Sequence, residues 1–438
     1  MTTTIAPNNP FILQLQQVDQ FIEQKNLQAA AELLNTLGRA EPHNPLVYIM
    51  GMKLGEAAGN PKGALQAARR VVECAPGWPN GLIELAACLA RQNANEEALS
   101  LAQQAVDAAP KDMVILTRAV DIAHHSRNFA LGQPWLRQAL ALDEGNATLR
   151  KVMARSLAET NQLPEAIEVC TALLAELPDD ASVLAERMSA AFRSGDIALA
   201  RADADRLVAL APDDATYRFW HDKLHGRVPT TQPPAMVEHL FDSYAPSFDM
   251  HLVRGLQYDT PKKVAEWIRS RYPTLELNIL DLGCGTGLLG VFLGRINGFM
   301  IGVDLSTGMI EQAARHGVYD RFHTVNLVDA LRETPADLYH VITANDVLIY
   351  VGDLTTVIPN AFRVCRPDGY FIFTCEQADE SGPDLVLRDS IRYAHKVSAV
   401  QAQCKAAGFD DVAIEFVDLR VERGAPIRGF RAIAYKPA

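Results

Sequence analysis

A spacing of 34 residues recurs through the first half of this 438-residue chain and constrains its fold more than any other feature. One series on this spacing holds proline at five of six positions, with Glu144 at the sixth: Pro42, Pro76, Pro110, Pro178 and Pro212. A second series, twelve residues earlier in each unit, holds only alanine or glycine: Ala30, Ala64, Ala98, Gly132, Ala166 and Ala200. A period of roughly 20 to 50 residues is typical of solenoid folds. The first half is therefore predicted to be a stack of similar units.

Each unit is predicted to hold two amphipathic helices, for example over 81–91 and 96–108. The small residue permits close contact between helices, and the proline ends the second helix because it cannot continue the hydrogen-bond ladder. The pattern resembles the tetratricopeptide repeat, whose period is also about 34 residues. The resemblance covers residues 9–215, although the Trp-x-x-Leu-Gly-x-x-Tyr pattern of that family is absent from the first helices.

The resemblance implies an all-α tetratricopeptide solenoid with a concave face. Such a face could bind a protein or peptide, or the array could serve as a scaffold for self-association. The lysine, arginine and asparagine set of a carboxylate clamp is not found in successive first helices. A role as an adaptor for chaperone tails is therefore not expected.

The array is predicted to end in a capping helix and a linker. Residues 215–225 form the helix, with Tyr217, Phe219, Trp220 and Leu224 on one apolar face. Residues 226–234 hold three prolines and two threonines, a composition typical of an extended segment. The chain is thus expected to comprise a repeat domain over 9–225, a linker over 226–235 and a second domain over 236–438.

The second half alternates short apolar strands with helices. Strands are predicted over 278–282, 299–304, 322–327, 339–345 and 370–375, with helices over 288–297, 307–316 and 354–365. This alternation predicts a doubly wound α/β fold with a parallel sheet, whose ligands bind at the carboxyl ends of the strands. Two further strands, over 412–418 and 430–435, have no helix between them and are predicted to add an antiparallel hairpin at the sheet edge.

Three glycines at alternate positions, Gly283, Gly285 and Gly287, follow the first of these strands, and Asp304 ends the next. Such glycines let the backbone approach a ligand closely, and an acid on the second strand can hold a ribose. The dinucleotide fingerprint G-x-G-x-x-G has two residues between its second and third glycines, whereas this chain has one. This spacing disfavours a dehydrogenase. S-adenosylmethionine has no pyrophosphate and does not need the helix N-terminus that the longer spacing provides.

Residues 236–438 resemble the class I S-adenosylmethionine-dependent methyltransferases. Residues 281–287 look like their first motif, and residues 366–369 look like the turn before their fifth strand, with Asp368 in place of a glycine. The resemblance implies a Rossmann-like methyltransferase domain with S-adenosyl-L-methionine as cofactor. It assigns the cofactor contacts to Asp281, Gly283, Cys284, Gly285, Gly287, Asp304, Leu305, Met309, Asp329 and Asn345.

Several of these residues have a structural alternative. Asp304 could cap the next helix, although Ser306 can take that role and leave Asp304 for the ribose. Asp329 is as well explained by a helix cap as by a contact with adenine. Cys284 is expected to be a bystander that is small enough to fit beside the loop.

An aromatic-rich segment over 241–249 precedes the sheet, followed by His251 and Tyr258. Many small-molecule methyltransferases of this superfamily have a similar helix that closes over the cofactor and excludes water. Tyr244 is predicted to approach the cofactor. The alternative is a helix whose aromatic side chains only pack on the sheet.

Three side chains are predicted to act on the methyl acceptor: Tyr350 after the fourth strand, and Arg392 and His395 after the fifth. Arg392 could clamp an anionic group and His395 could act as a base. The alternative is a solvated arginine and a structural histidine on a helix. Residues 345–348 lack the Asn/Asp-Pro-Pro-Tyr/Phe pattern of enzymes that methylate amino groups of bases or glutamine. No cluster with metal-ligand spacing is seen, so no metal is expected.

Composition narrows the partners and the compartment. The formal net charge of −12 argues against nucleic acid, because phosphates need a basic surface. The seven scattered cysteines form no C-x-x-C pair and indicate reduced thiols in a cytoplasmic protein. Neither a signal peptide nor an apolar stretch long enough to span a membrane is seen.

The sequence therefore predicts a cytoplasmic S-adenosylmethionine-dependent methyltransferase with a helical-repeat module. Its acceptor is either a small molecule enclosed by the aromatic segment or a protein presented by the repeats. The alternative is a non-catalytic repeat scaffold whose methyltransferase-like domain senses the cofactor.

Overall fold

A computed structural model describes residues 9–244, 259–422 and 424–438, apart from the side chains of Ser243 and Tyr244. The chain divides into two compact units, Met1–Arg206 and Leu207–Ala438. Among the described residues, no helix is both long and apolar enough to cross a membrane.

The first half consists of helices that pair along the chain. They are α1 (Pro10–Glu23), α2 (Leu27–Ala40), α3 (Pro45–Ala57), α4 (Pro61–Cys74), α5 (Pro79–Arg91), α6 (Asn95–Ala108), α7 (Met113–His125), α8 (Phe129–Leu142), α9 (Ala147–Glu159), α10 (Leu163–Glu176), α11 (Ala181–Ser194) and α12 (Ile197–Leu210). Every position of the proline series lies two residues beyond the end of an even-numbered helix. The predicted role of proline as a helix stop is thus confirmed.

The series of small residues lies where neighbouring helices touch. Its five alanines are all at most 2% exposed. At Gly132 an added Cβ would lie 3.1 Å from the Cβ of Ala123, so a larger side chain would push the two helices apart. The predicted array of paired helices is confirmed.

The second unit continues from the end of α12 into further helices and a mixed sheet. The helices are α13 (Ala215–Leu224), α14 (Pro234–Tyr244), α15 (Thr260–Arg271), α16 (Leu288–Leu293), α17 (Thr307–Arg315), α18 (Leu327–Glu333), α19 (Val357–Val364) and α20 (Val397–Ala407). The strands are β1 (Ile279–Leu282), β2 (Met300–Asp304), β3 (Arg321–Thr324), β4 (Tyr339–Ala344), β5 (Cys365–Gln377), β6 (Leu385–Leu387), β7 (Tyr393–His395), β8 (Asp411–Glu422) and β9 (Ala425–Tyr435).

The sheet has a parallel centre and antiparallel additions. Strands β3, β2, β1, β4 and β5 lie side by side in that order, all parallel. Strand β9 runs antiparallel to β5, and β8 runs antiparallel to β9. A short β6–β7 pair joins the end of β5 at Glu376 and Gln377. The predicted doubly wound fold with an antiparallel hairpin is confirmed.

Two local predictions differ from the structure. The third strand ends at Thr324, and Asn326 then caps α18 by accepting a hydrogen bond from the amide of Val328 at 2.8 Å. The segment after β5, where a helix is the alternative for Arg392 and His395, instead holds the short strand β7, which begins just after Arg392 and includes His395. The segment is a strand because it pairs with β5 and β6. Such long-range pairing can outweigh the local preference of a sequence for helix.

Candidate active site

The glycine loop connects β1 to α16 and approaches the end of β4. Gly283, Gly285 and Gly287 all have positive φ, at 64°, 54° and 81°. A Cβ at Gly283 would overlap the side chain of Val347, which follows β4. Glycine adopts these angles at little cost and leaves space for the approach. The local pattern of glycines therefore fixes a tight loop at the carboxyl ends of two neighbouring strands.

Asp304 ties this loop to the end of β2. One carboxylate oxygen accepts a hydrogen bond from the amide of Gly285 at 2.8 Å, and the other accepts from the amide of Ser306 at 2.9 Å. Burial raises the pKa of Asp304, and these amide hydrogen bonds oppose the rise. The Ser306 hydroxyl accepts from the amide of Met309 and so caps α17, as the sequence predicts. Each oxygen of Asp304 retains a lone pair for a ligand hydroxyl.

Asp281 lies deeper, at 2% exposure. It accepts hydrogen bonds from the Tyr319 hydroxyl at 2.7 Å and from the Thr343 hydroxyl at 2.6 Å. Burial raises the pKa of Asp281 to about 6, although both hydroxyls favour the charged form. This carboxylate therefore links β1 to β4 and to the segment before β3.

A cavity of about 580 Å³ opens at the carboxyl ends of β1, β2 and β4. This volume lies within the range of roughly 300–1,000 Å³ typical of small-molecule sites. The predicted site residues that line it are Asp281, Gly283, Cys284, Gly285, Asp304, Leu305, Asn345, Tyr350 and Arg392. Residues predicted for the cofactor and for the acceptor thus share one continuous space.

Other predicted site residues lie away from this lining. Gly287 packs against Ala313 and Tyr319, and Met309 is fully buried in α17. Asp329 lies in the first turn of α18, where it pairs with Arg332 at 2.8 Å. In that region the cavity is lined by Asn326, the cap of α18. The side chain of Tyr244, together with His251 and Tyr258, falls outside the described residues.

His395 also lies outside the cavity lining. Its Nε2 is 2.7 Å from the carbonyl oxygen of Gly352, which requires a proton on Nε2. Its Nδ1 is buried without a hydrogen-bond partner in the described part of the chain. Burial lowers the pKa of His395 and favours the neutral ring. The side chain therefore contacts the backbone that follows Tyr350 and does not line the cavity.

Helix α14 contributes Val237, Leu240 and Phe241 to the cavity lining. The Phe241 ring contacts the Tyr350 ring edge to face at 5.3 Å between centroids. On the next residue, the Asp242 carboxylate accepts hydrogen bonds from the Ser306 hydroxyl and, at 3.4 Å, from the amide of Gly308. The helix thus joins the rim after β2 to the rim after β4.

Residues 229–232, which we term the strap, run along the side of the cavity that Tyr350 lines. The carbonyl of Pro229 accepts from the Tyr393 hydroxyl at 2.9 Å, and the carbonyl of Thr230 accepts from the amide of Asp353 at 2.7 Å. The amide of Gln232 donates to the carbonyl of Tyr350 at 3.1 Å. The strap therefore forms part of the site wall, and Thr231 and Gln232 line the cavity.

A buried arginine that sequence reasoning missed organises the far end of the cavity. Arg420 of β8 is 3% exposed and pairs with Asp346, Glu376 and Glu422. Burial lowers the pKa of Arg420, but the three carboxylates raise it by more. The net effect is a pKa above the usual value, and the guanidinium stays charged. Arg420, Asp346 and Glu422 all line the cavity.

Arg392 extends this network along the cavity lining. It pairs with Glu422. Burial lowers the pKa of Arg392, but the neighbouring Tyr350 hydroxyl and Glu422 carboxylate raise it by more. Tyr350 is buried, which raises its pKa. Asp418, Arg420 and Glu422 alternate along β8, a pattern that in a single sequence predicts a solvated strand face. This alternation is the sequence feature that could have drawn attention to Arg420, but it does not indicate which carboxylates Arg420 contacts.

The residues present fit S-adenosylmethionine. Both polar atoms of the Asn345 carboxamide are buried at the cavity and have no partner in the described part of the chain. Buried polar groups are nearly always hydrogen-bonded in proteins, so this carboxamide is placed to bind a polar ligand group. The glycine loop and the Asp304 oxygens supply the remaining features of such a site.

Two segments match known family models. Residues 280–371 match the family described as a methyltransferase domain, and residues 125–188 match the tetratricopeptide repeat. The crystal structure of magnesium protoporphyrin IX methyltransferase from Synechocystis, with bound S-adenosylhomocysteine, shares 18% sequence identity with a TM-score of 0.36. It covers 46% of this chain and 98% of that one.

Curated relatives include ubiquinone biosynthesis O-methyltransferases. The mitochondrial protein of Bos taurus is 33% identical over 109 residues, which are 23% of this chain and 29% of that protein. The protein of Paracidovorax citrulli is 29% identical over 161 residues, which are 33% of this chain and 68% of that protein. The chain therefore spans less than a third of the length of the bovine relative.

Proposed function

Since the chain combines a tetratricopeptide-repeat region with a methyltransferase domain, we propose that it methylates a hydroxyl group of a small molecule with S-adenosylmethionine. One observation carries the proposal. A single cavity extends from the glycine loop and Asp304 to Tyr350, Arg392 and Asp346. Cofactor and acceptor can therefore meet in one space beneath α14.

The cofactor side of the cavity follows from the residues that line it. We assign the ribose hydroxyls to Asp304, the adenine to the wall formed by Leu305 and Asn326, and the amino-acid end to the glycine loop. When bound, S-adenosylmethionine supplies an electrophilic methyl group, so the protein's own task is to orient the acceptor and exclude water.

A small acceptor is supported by the cover over the site. Helix α14 reaches both rims through Phe241 and Asp242, and the strap closes the acceptor side. A protein side chain would have to displace these elements. The curated relatives are named as O-methyltransferases, which supports a hydroxyl as the acceptor group. For the repeats we propose binding of a protein partner or of a second copy, because such arrays present an extended surface.

Calorimetric titration with S-adenosylhomocysteine tests the cofactor side. Asp304→Asn removes the negative charge of the group that would accept hydrogen bonds from the ribose hydroxyls. We expect the affinity for S-adenosylhomocysteine to fall by about tenfold or more. Asp329→Asn is the matched control, because Asp329 is exposed outside the cavity and should leave the affinity within about twofold. Absence of binding to the unaltered protein at millimolar ligand would contradict the proposal.

Catalysis itself needs a separate test. Incubation with radiolabelled S-adenosylmethionine and a panel of small hydroxyl compounds should give labelled product in the unaltered chain. A protein that binds the cofactor but labels no acceptor would favour the cofactor-sensing scaffold.

A further inference from the structure

We propose that Asp346 receives the hydrogen of the acceptor's hydroxyl group, and that Arg420 is the positioning residue that holds Asp346 in place. The inference rests on the proposed function and assigns the polar partner of the acceptor. Asp346 lies between Asn345 and Val347, directly after β4, and all three residues line the cavity.

The backbone of Asp346 is held in a rare conformation. Its φ is 54°, in the left-handed region that residues other than glycine seldom adopt. Its amide donates to the hydroxyl of Thr374 on β5 at 2.8 Å. Such a conformation costs free energy and persists only where surrounding contacts hold it. Here it directs the carboxylate away from the β4 axis and towards β8.

Arg420 fixes the side chain. Its Nη1 donates to both carboxylate oxygens of Asp346, at 2.8 and 3.0 Å. Its Nε donates to Glu422 and its Nη2 donates to Glu376. The guanidinium is thus committed on every nitrogen to protein carboxylates. Each oxygen of Asp346 still has a lone pair for a donor in the cavity.

This arrangement suits a hydroxyl acceptor. The hydroxyl donates its hydrogen to Asp346, which directs an oxygen lone pair at the methyl carbon. As the oxygen–carbon bond forms, the carbon–sulfur bond breaks with its electrons on sulfur. The methylated oxygen becomes strongly acidic, so its proton moves to the carboxylate of Asp346 and then to water.

Sinefungin tests this role without knowledge of the acceptor. In this analogue of S-adenosylmethionine, an amine-bearing carbon replaces the methylated sulfur, so the amine projects into the acceptor space. We expect the unaltered chain to bind sinefungin about tenfold more tightly than S-adenosylhomocysteine, because a charged hydrogen bond to Asp346 forms. In Asp346→Asn this preference should disappear, while the affinity for S-adenosylhomocysteine changes by less than about threefold.

Glu376→Gln is the matched control. It removes a carboxylate from the same guanidinium, but Glu376 does not line the cavity. The preference for sinefungin should persist in this variant. Loss in both variants, loss in neither, or an equal loss of both ligands in Asp346→Asn would each overturn the inference. Failure of the unaltered chain to bind S-adenosylhomocysteine would instead overturn the proposed function.

Two further measurements cover a failure of Asp346→Asn to fold. A crystal structure of the unaltered chain with sinefungin should place the amine about 2.7–3.2 Å from an oxygen of Asp346. A larger separation would contradict the assignment. Arg420→Lys keeps the charge but cannot donate to Asp346, Glu376 and Glu422 from three separate nitrogens, so it should weaken sinefungin binding more than S-adenosylhomocysteine binding. An unchanged ratio would remove the positioning role.

Discussion

Asp281 holds its proton more tightly in the folded chain than an exposed aspartate does. Because folding raises its pKa from 3.8 to about 6, its contribution to stability is present below pH 4 and is lost as the pH rises through 6. Both carboxylate oxygens are occupied by hydroxyl donors, so the buried charge at neutral pH is tolerated at a cost.

Asp281→Asn should remove this pH dependence. We expect the variant to gain stability relative to the unaltered chain between pH 5 and pH 8 by about 1 kcal/mol, because the pKa of about 6 lies only about one pH unit above pH 5. Urea unfolding at the two pH values measures the difference. Asp329→Asn, at an exposed site, should leave the pH slope unchanged. Equal slopes in the unaltered chain and Asp281→Asn would show that Asp281 is not the titrating group.

Local pattern predicted one half of the site and missed the other. The positive φ angles of the glycine loop and the position of Asp304 at the end of β2 follow from residues that are close together in the chain. The contact of Asp346 with Arg420 joins residues 74 positions apart. It depends on β9 lying between β5 and β8, which a single sequence does not reveal. Asp368 shows how a local backbone conformation can persist after the residue changes. It adopts a φ of 60° at the position where the methyltransferases that this segment resembles have glycine.

The strap was predicted to be an extended linker and is found as a wall of the cavity. It is held mainly by backbone hydrogen bonds, for which composition gives no signal. Gly352 approaches it so closely that a Cβ would lie 2.7 Å from the carbonyl oxygen of Thr230. The helical alternative for 390–395 failed for a related reason, because pairing with β5 determines that β7 is a strand.

Tyr393→Phe tests whether the strap positions the site. The variant removes only the hydroxyl that donates to Pro229, and we expect a loss of about 1 kcal/mol in stability. Amide hydrogen exchange should increase in the strap and in residues 350–353. Tyr435→Phe is the control, because it removes a hydroxyl that donates to the exposed carboxylate of Asp368. Equal exchange in both variants would count against the strap as a positioning element.

At the scale of the entire chain, the division into two compact units predicts that a bound ligand stabilises one unit more than the other. All cavity residues belong to Leu207–Ala438. At a concentration of S-adenosylhomocysteine about 100 times its Kd, binding should stabilise that unit by about 2.7 kcal/mol. Hydrogen exchange should slow around the cavity and remain unchanged in α1–α11. Protection that reaches the repeats would show that the two units are energetically coupled.

The position of Arg420 in β8 has a consequence for synthesis of the protein. The chain from β1 to β5 leaves the ribosome before β8 and β9, so β5 at first exposes an unpaired edge along Tyr370–Glu376. During that interval the residues around Asp304 have already been synthesised, but Asp346 still lacks its contact with the guanidinium of Arg420. An unpaired strand edge can pair with another chain, so a chaperone that shields β5 would act during this stage.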